Sequence, residues 1–121
     1  MTFEERKQQV KSYLGKTVHI KMDRPIGTEH PKHPGLYYPI NYGFIPGVYG
    51  GDGEELDVYL LGVDRPVEEY TVRIIGIVHR HNDVEDKLVA APEGMSFTAE
   101  EMSSAVRFQE EYYDSEIEAL K

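Results

Sequence analysis

Residues 35–47 read GLYYPINYGFIPG, and the punctuation of this stretch constrains the fold more than any other feature of the chain. Pro39, Gly43, Pro46 and Gly47 fall among aromatic and β-branched residues. Proline removes a backbone donor and glycine weakens any regular element, so the segment suits short strands with bends and not a helix. Its neighbours agree. KTVHIKM alternates, with Val18, Ile20 and Met22 on one face and His19 and Lys21 on the other. LDVYLLG, YTVRIIGIVHR and DKLVAAP read as three further strands.

The two ends have a different period. Thr2 and Glu5 have capping-box spacing, Phe3, Val10, Tyr13 and Leu14 form a broken apolar stripe, and Gly15 can end that helix. Thr98 and Glu101 repeat the capping box, and Met102, Ala105, Val106, Gln109, Tyr112, Tyr113, Ile117 and Leu120 follow with helical spacing. The expected fold is therefore mainly β: a small barrel with an N-terminal and a C-terminal helix packed outside it. At 121 residues, with no internal repeat or linker, the chain reads as a single domain, 1–121.

Composition removes several classes of function. No apolar run approaches the ~18 residues of a membrane helix, and MTFEERKQQ lacks the apolar centre of a signal peptide. There is no cysteine, which excludes disulfides and thiolate metal sites. A cytoplasmic protein with no membrane partner is the simplest expectation. The formal net charge of −9 argues against nucleic acid, whose phosphates demand clustered Lys and Arg. An acidic protein can still meet phosphates when divalent cations stand between them.

The acid is concentrated. GGDGEELDVYLLG, residues 50–62, sets Asp52, Glu54 and Glu55 on a glycine-rich turn and Asp57 on the apolar run behind it. The glycines do not form a GxxxxGK[ST] phosphate cradle, and Gly53 stands at the wrong position for an EF-hand. Taken alone the turn could be a solvated acidic hairpin. Yet LDVYLLG has apolar residues on both faces, so Asp57 enters partly buried surroundings where a carboxylate needs a partner or a metal. A second cluster lies in HRHNDVEDKLVAAP, residues 79–92, where Asp83, Glu85 and Lys87 point to one face if extended and Asp86 intervenes. Two oxygen-rich clusters without thiols suit Mg²⁺ or Mn²⁺. Zinc through His79 or His81 lacks a supporting spacing. The segment DRPIGTEHPKHP, residues 23–34, reads as a loop carrying Arg24, His30, Lys32 and His33, an unusual cationic concentration for so acidic a chain.

YPINYGFIP (38–46), DGEELDV (52–58), IGI (75–77) and DKLVAAP (86–92) keep an order and spacing that resemble the soluble family I inorganic pyrophosphatases, and RFQEEYY (107–113) resembles that family's C-terminal helix. The resemblance implies an OB-like five-stranded barrel and Mg²⁺-dependent hydrolysis of pyrophosphate to two phosphates. Carried over by position, Asp52 and Asp57 are ligands of the central metal ions, with Glu85 and Asp83 as further ligands. Glu54 stands where the family usually has the aspartate that takes the proton of the attacking water. Lys87, Tyr42, Tyr38 and Tyr112 match residues that hold the phosphates. The resemblance also implies a homo-oligomer.

The departures fall on the phosphate side. Lys21 stands where the family has a glutamate, and the family's hairpin with a phosphate-binding lysine and arginine is replaced by DRPIGTEHPKHPG, in which Arg24 and Lys32 are the candidate substitutes. Tyr112-Tyr113 replaces a Tyr-Lys pair, and the chain is two residues shorter before Glu85. Pyrophosphate hydrolysis is the leading expectation. A phosphohydrolase for another small phosphoanhydride, a non-catalytic metal- or phosphate-binding module, and a nucleic-acid-binding barrel are the other readings.

Overall fold

A computed structural model describes residues 2–50, 53–81 and 85–120. Five strands make the barrel: β1 (Thr17–Arg24), β2 (Asn41–Tyr49), β3 (Glu55–Leu60), β4 (Glu69–Arg80) and β5 (Lys87–Ala91). They are hydrogen-bonded in the order β1-β2-β3-β5-β4, and β1 returns to pair with β4, which closes the sheet. Closure leaves only the far half of β4, beyond its pairing with β1, with an edge to fill among these five strands. The β3–β5 pair is parallel and the other pairs are antiparallel. The five-stranded, OB-like barrel expected from the resemblance is present.

The proline-glycine punctuation acts as expected on one strand. β2 and β3 lose register between Phe44 and Tyr49, the stretch that contains Pro46 and Gly47. Gly47 has a φ of +79° there, and Gly53 one of +81° in the bend before β3. Gly43 answers a different need: a Cβ at this position would lie 2.1 Å from the carbonyl oxygen of Lys21 on β1.

The helices sit on opposite sides of two apolar layers. Both capping boxes are formed, at Thr2–Glu5 and Thr98–Glu101. α1 (Phe3–Lys11) brings Val10 into the cluster of Ile20, Leu56, Val58, Leu60, Val72, Ile74 and Leu88. Strand alternation sends Tyr42, Tyr59, Val78 and Val89 to the other layer, where Met102 and Val106 of α2 (Ala99–Glu110) cover them. Gly76 lets α2 come close, since a Cβ there would meet the Met102 sulfur at 2.6 Å.

Three expectations are corrected. The terminal stripe through Ile117 and Leu120 is not helical: α2 ends at Glu110, and β6 (Ser115–Ala119) pairs antiparallel with β4 beyond the end of β1. Ile117 and Leu120 fit helical spacing from Val106, but the long β4 offers them an unpaired edge and that pairing prevails. The first helix ends at Lys11, and Gly15 (φ +84°) lies in the turn that follows. Asp23 and Arg24 belong to β1 and not to the loop. No helix is long and apolar enough to cross a membrane among the described residues.

Candidate active site

The sequence-predicted polar residues converge on the layer that faces α2. Alternation along β3 puts Asp57 on the same side as Tyr59, and alternation from Glu85 through β5 puts Glu85 and Lys87 together, with Asp86 turned away. The Lys87 ammonium donates to Asp57 Oδ2 at 2.5 Å and to Glu85 Oε1 at 2.7 Å. It also stands 5.7 Å from the centroid of the Tyr42 ring. Burial, followed by the Asp57 charge and its hydrogen bond with Tyr42, holds the Tyr42 hydroxyl well above the ordinary tyrosine range. Tyr42 is thus a fixed proton donor toward Asp57.

These groups line a cavity of about 260 Å³. Asp23 and Arg24 from the end of β1, His30 and Lys32 from the following loop, Tyr38, Tyr42, Arg80 and Tyr113 complete its polar wall. Of the candidate residues, Arg24, Lys32, Tyr38, Tyr42, Asp57, Glu85 and Lys87 are brought together here. Four are placed elsewhere or lie outside the described residues. Glu54 is exposed in the bend before β3 and does not line the cavity. Tyr112 stacks on His33 at 4.3 Å, and its neighbour Tyr113 takes the wall position. Asp52 and Asp83 lie outside the described residues.

Beneath the cavity is a buried network that the sequence reading missed. Glu110, at the end of α2, accepts from Arg80 Nε at 3.0 Å, from Arg80 Nη2 at 2.6 Å and from the Tyr59 hydroxyl at 2.6 Å. Desolvation opposes a charge on Arg80, but the Glu110 carboxylate overrides it and keeps the guanidinium firmly protonated. Arg80 Nη1 reaches Glu85 at 3.4 Å, and the Tyr113 ring lies 3.7 Å from its guanidinium carbon. Gln109 donates to the Tyr59 oxygen at 2.6 Å and accepts from the Tyr38 hydroxyl at 2.8 Å. The available signal was alternation: Val78 and Arg80 share a face of β4, as Asp57 and Tyr59 share one of β3.

Asp86 makes a separate anchor on the opposite side. It accepts from Arg6, from Lys7 and from the Arg80 backbone N–H, with His79 beside it. Burial alone would raise its pKa; the bonds from His79, Lys7 and the backbone win and bring it down to about 2. His79 also donates to Glu118 of β6, and His81 lies 3.3 Å from Glu116 of the same strand, so both rings are engaged by β6 carboxylates. Among the described residues no group of three or more His, Cys, Asp or Glu side chains could hold a metal ion. The donor chemistry in the cavity nevertheless fits a hard cation: Asp57 and Glu85 converge on one positive point, occupied by the Lys87 ammonium, with oxygen ligands and no thiolate.

Comparison with known proteins gives a consistent answer. The family model described as inorganic pyrophosphatase matches residues 5–118. An inorganic pyrophosphatase of Sulfolobus acidocaldarius is 40% identical over 77 residues, which are 60% of this chain and 41% of that protein. One of Mesorhizobium japonicum is 31% identical over 85 residues, 64% of this chain and 48% of that one. The chain thus spans less than half the length of these curated relatives. The crystal structure of inorganic pyrophosphatase from Ehrlichia chaffeensis superposes with a TM-score of 0.69 at 22% identity, covering 88% of each chain. That from Coxiella burnetii gives 0.65 at 18% identity over 89% of this chain and 87% of the other, and at such identities the likeness is one of fold. The chain belongs to the inorganic pyrophosphatase family.

Proposed function

We propose that the protein hydrolyses inorganic pyrophosphate to two phosphates in a reaction that depends on Mg²⁺, with Mn²⁺ as a substitute. The observation that carries this reading is the cavity in which Asp57 and Glu85 converge on Lys87 while Arg24 and Lys32 line the wall. Its volume lies below the ~300–1,000 Å³ of pockets that take drug-sized ligands, which favours a small inorganic anion over a nucleotide.

Asp57 and Glu85 would hold the metal, joined by Asp52 and Asp83. When bound, the divalent cation makes a coordinated water more acidic and screens phosphate charge. Water attacks one phosphorus, the new P–O bond forms, and the bond to the bridging oxygen breaks. Glu54, exposed outside the cavity, would have to swing toward it to take the proton of that water. Lys87, with Arg24 and Lys32, offsets the charge that gathers on the departing phosphate, which in phosphoryl transfer provides most of the catalysis together with positioning. The Tyr42 hydroxyl, kept protonated, orients Asp57 and can donate to a phosphate oxygen. Tyr38 lines the same wall, with its hydroxyl donated to Gln109. Tyr112, stacked outside the cavity on His33, would act only by supporting the loop.

The formal charge of −9 and the absence of cysteine support a cytoplasmic enzyme without nucleic-acid or membrane partners, and family membership supports a homo-oligomer. The test is phosphate release from a panel of phosphoanhydrides with Mg²⁺. The reading expects pyrophosphate to rank first. A nucleotide that ranks well above it would move the activity to another phosphohydrolase class.

A further inference from the structure

The loop that follows β1 carries Lys32; backbone bonds such as His30 N–H to the Leu36 carbonyl at 2.7 Å and Tyr38 N–H to the Thr28 carbonyl at 2.9 Å close it on itself, and the His30 side chain joins it to α2. Residues 25–37 contain one isolated bridge, Glu29 with Tyr37, and no regular element. His30 is the only buried residue in that span. Its imidazole is used at every edge. Nδ1 accepts from the Lys32 backbone N–H at 3.1 Å, which places the ring proton on Nε2. Nε2 then donates to Gln109 Oε1 at 2.9 Å. The ring lies parallel to Tyr38, 5.5 Å between centroids.

Gln109 is equally committed. Its oxygen accepts from both His30 and Tyr38, and its nitrogen donates to Tyr59, whose hydroxyl donates to Glu110. One amide at the end of α2 therefore ties the cationic loop to the residues that hold Arg80 beneath Glu85. A buried amide with all these bonds satisfied has one orientation only, and the loop inherits it.

We propose that His30 and Gln109 are positioning residues that fix the Lys32 segment, so that its ammonium completes the phosphate-binding wall of the cavity. The inference rests on the pyrophosphate reading for its substrate, though not for its geometry. Burial lowers the His30 pKa, against a smaller opposing effect of the Gln109 bond, and this favours the neutral ring that the Lys32 N–H requires. Both residues line the cavity, but their polar atoms are committed to each other, to the Lys32 backbone, to Tyr38 and to Tyr59, so both act through the loop.

Two substitutions isolate the relay. His30→Phe keeps a ring against Tyr38 and removes both nitrogens, and Gln109→Met keeps volume and removes the amide. Each is measured alone and combined with Lys32→Met. The readouts are affinity for methylenediphosphonate in the presence of Mg²⁺ and the KM and kcat for pyrophosphate. Each single variant is expected to weaken methylenediphosphonate and raise KM about tenfold with kcat within about threefold, and to add nothing once Lys32 is Met. Unchanged affinity in both variants, or losses that add fully to that of Lys32→Met, would overturn the inference. If His30→Phe fails to fold, the Gln109→Met cycle decides alone. Binding of methylenediphosphonate without phosphate release would remove the hydrolytic reading and leave this one standing. Phosphate release that Lys32→Met leaves unaltered would do the reverse, and absence of both binding and release would overturn both.

Discussion

Replacing Glu110 by glutamine removes one charge from the pair that ties α2 to β4. The Arg80 and Glu110 side chains are 2% and 5% exposed, so water screens the pair very little. Glu110 receives three donors: Arg80 Nε at 3.0 Å, Arg80 Nη2 at 2.6 Å and the Tyr59 hydroxyl at 2.6 Å. A glutamine offers one acceptor oxygen and turns an N–H₂ group toward the remaining donors. Breaking a buried ion pair by removing one partner costs ~3–5 kcal/mol, because the other charge stays buried. That is a large share of the ~5–15 kcal/mol that holds a domain together. In urea, with a slope of ~2 kcal/mol per molar, the midpoint should fall by roughly 2 M. The control is Glu110→Leu with Arg80→Met, which removes both charges and should recover most of the loss, since apolar replacement of a buried pair is often near neutral. A loss below about 1 kcal/mol for Glu110→Gln, or a double variant as unstable as the sum of its parts, would refute the claim that this pair anchors the site.

Asp86→Asn should destabilise by ~2 kcal/mol at neutral pH, since its carboxyl is held at about 2 against an ordinary 3.8 and each unit is ~1.4 kcal/mol. Because that pKa is lowered, the contribution is present above pH 3.8 and fades as pH falls toward 2; acid titration of wild type and variant should converge there, and a constant gap would contradict the assignment. Gly43→Ala should cost several kcal/mol or prevent folding, since its Cβ would sit 2.1 Å from the Lys21 carbonyl oxygen; a thermal midpoint within a few degrees of wild type would show that β1 and β2 can separate at no great cost. Lys87→Met should lower kcat/KM for pyrophosphate at least a hundredfold while the fold survives, as the loss of a preorganised charge at the reacting centre implies; a change under about threefold would remove Lys87 from the chemistry.

Much of the fold could be read because alternation and capping are local. Asp57 and Tyr59 share a face whatever their partners, and Thr98 with Glu101 starts a helix wherever it packs. The strand Ser115–Ala119 could not be read, because its cause is the far half of β4, some forty residues earlier, which leaves an edge to fill. The cavity residues Asp57, Glu85 and Lys87 could be read for the same local reason, together with the ordered motifs around them. Arg80, Gln109 and Glu110 could not. Each is an ordinary polar residue in sequence, and its role appears only when α2 lies across β4 and Tyr59 comes between them. His30 looked like one of several loop histidines until its two nitrogens were seen to join Lys32 to α2.

The most direct test of the central claim is phosphate release from pyrophosphate by the wild-type protein and by Asp57→Asn, each with Mg²⁺, with Mn²⁺ and with the metal chelated. Asp57 accepts from Lys87 and from Tyr42, and removal of its charge takes away the anionic point on which the cavity is built. The account expects metal-dependent release by wild type, none under chelation, and a rate at least a hundredfold lower for a folded Asp57→Asn protein. Release that continues unchanged in Asp57→Asn, or a folded wild type that releases no phosphate with either metal, would contradict it.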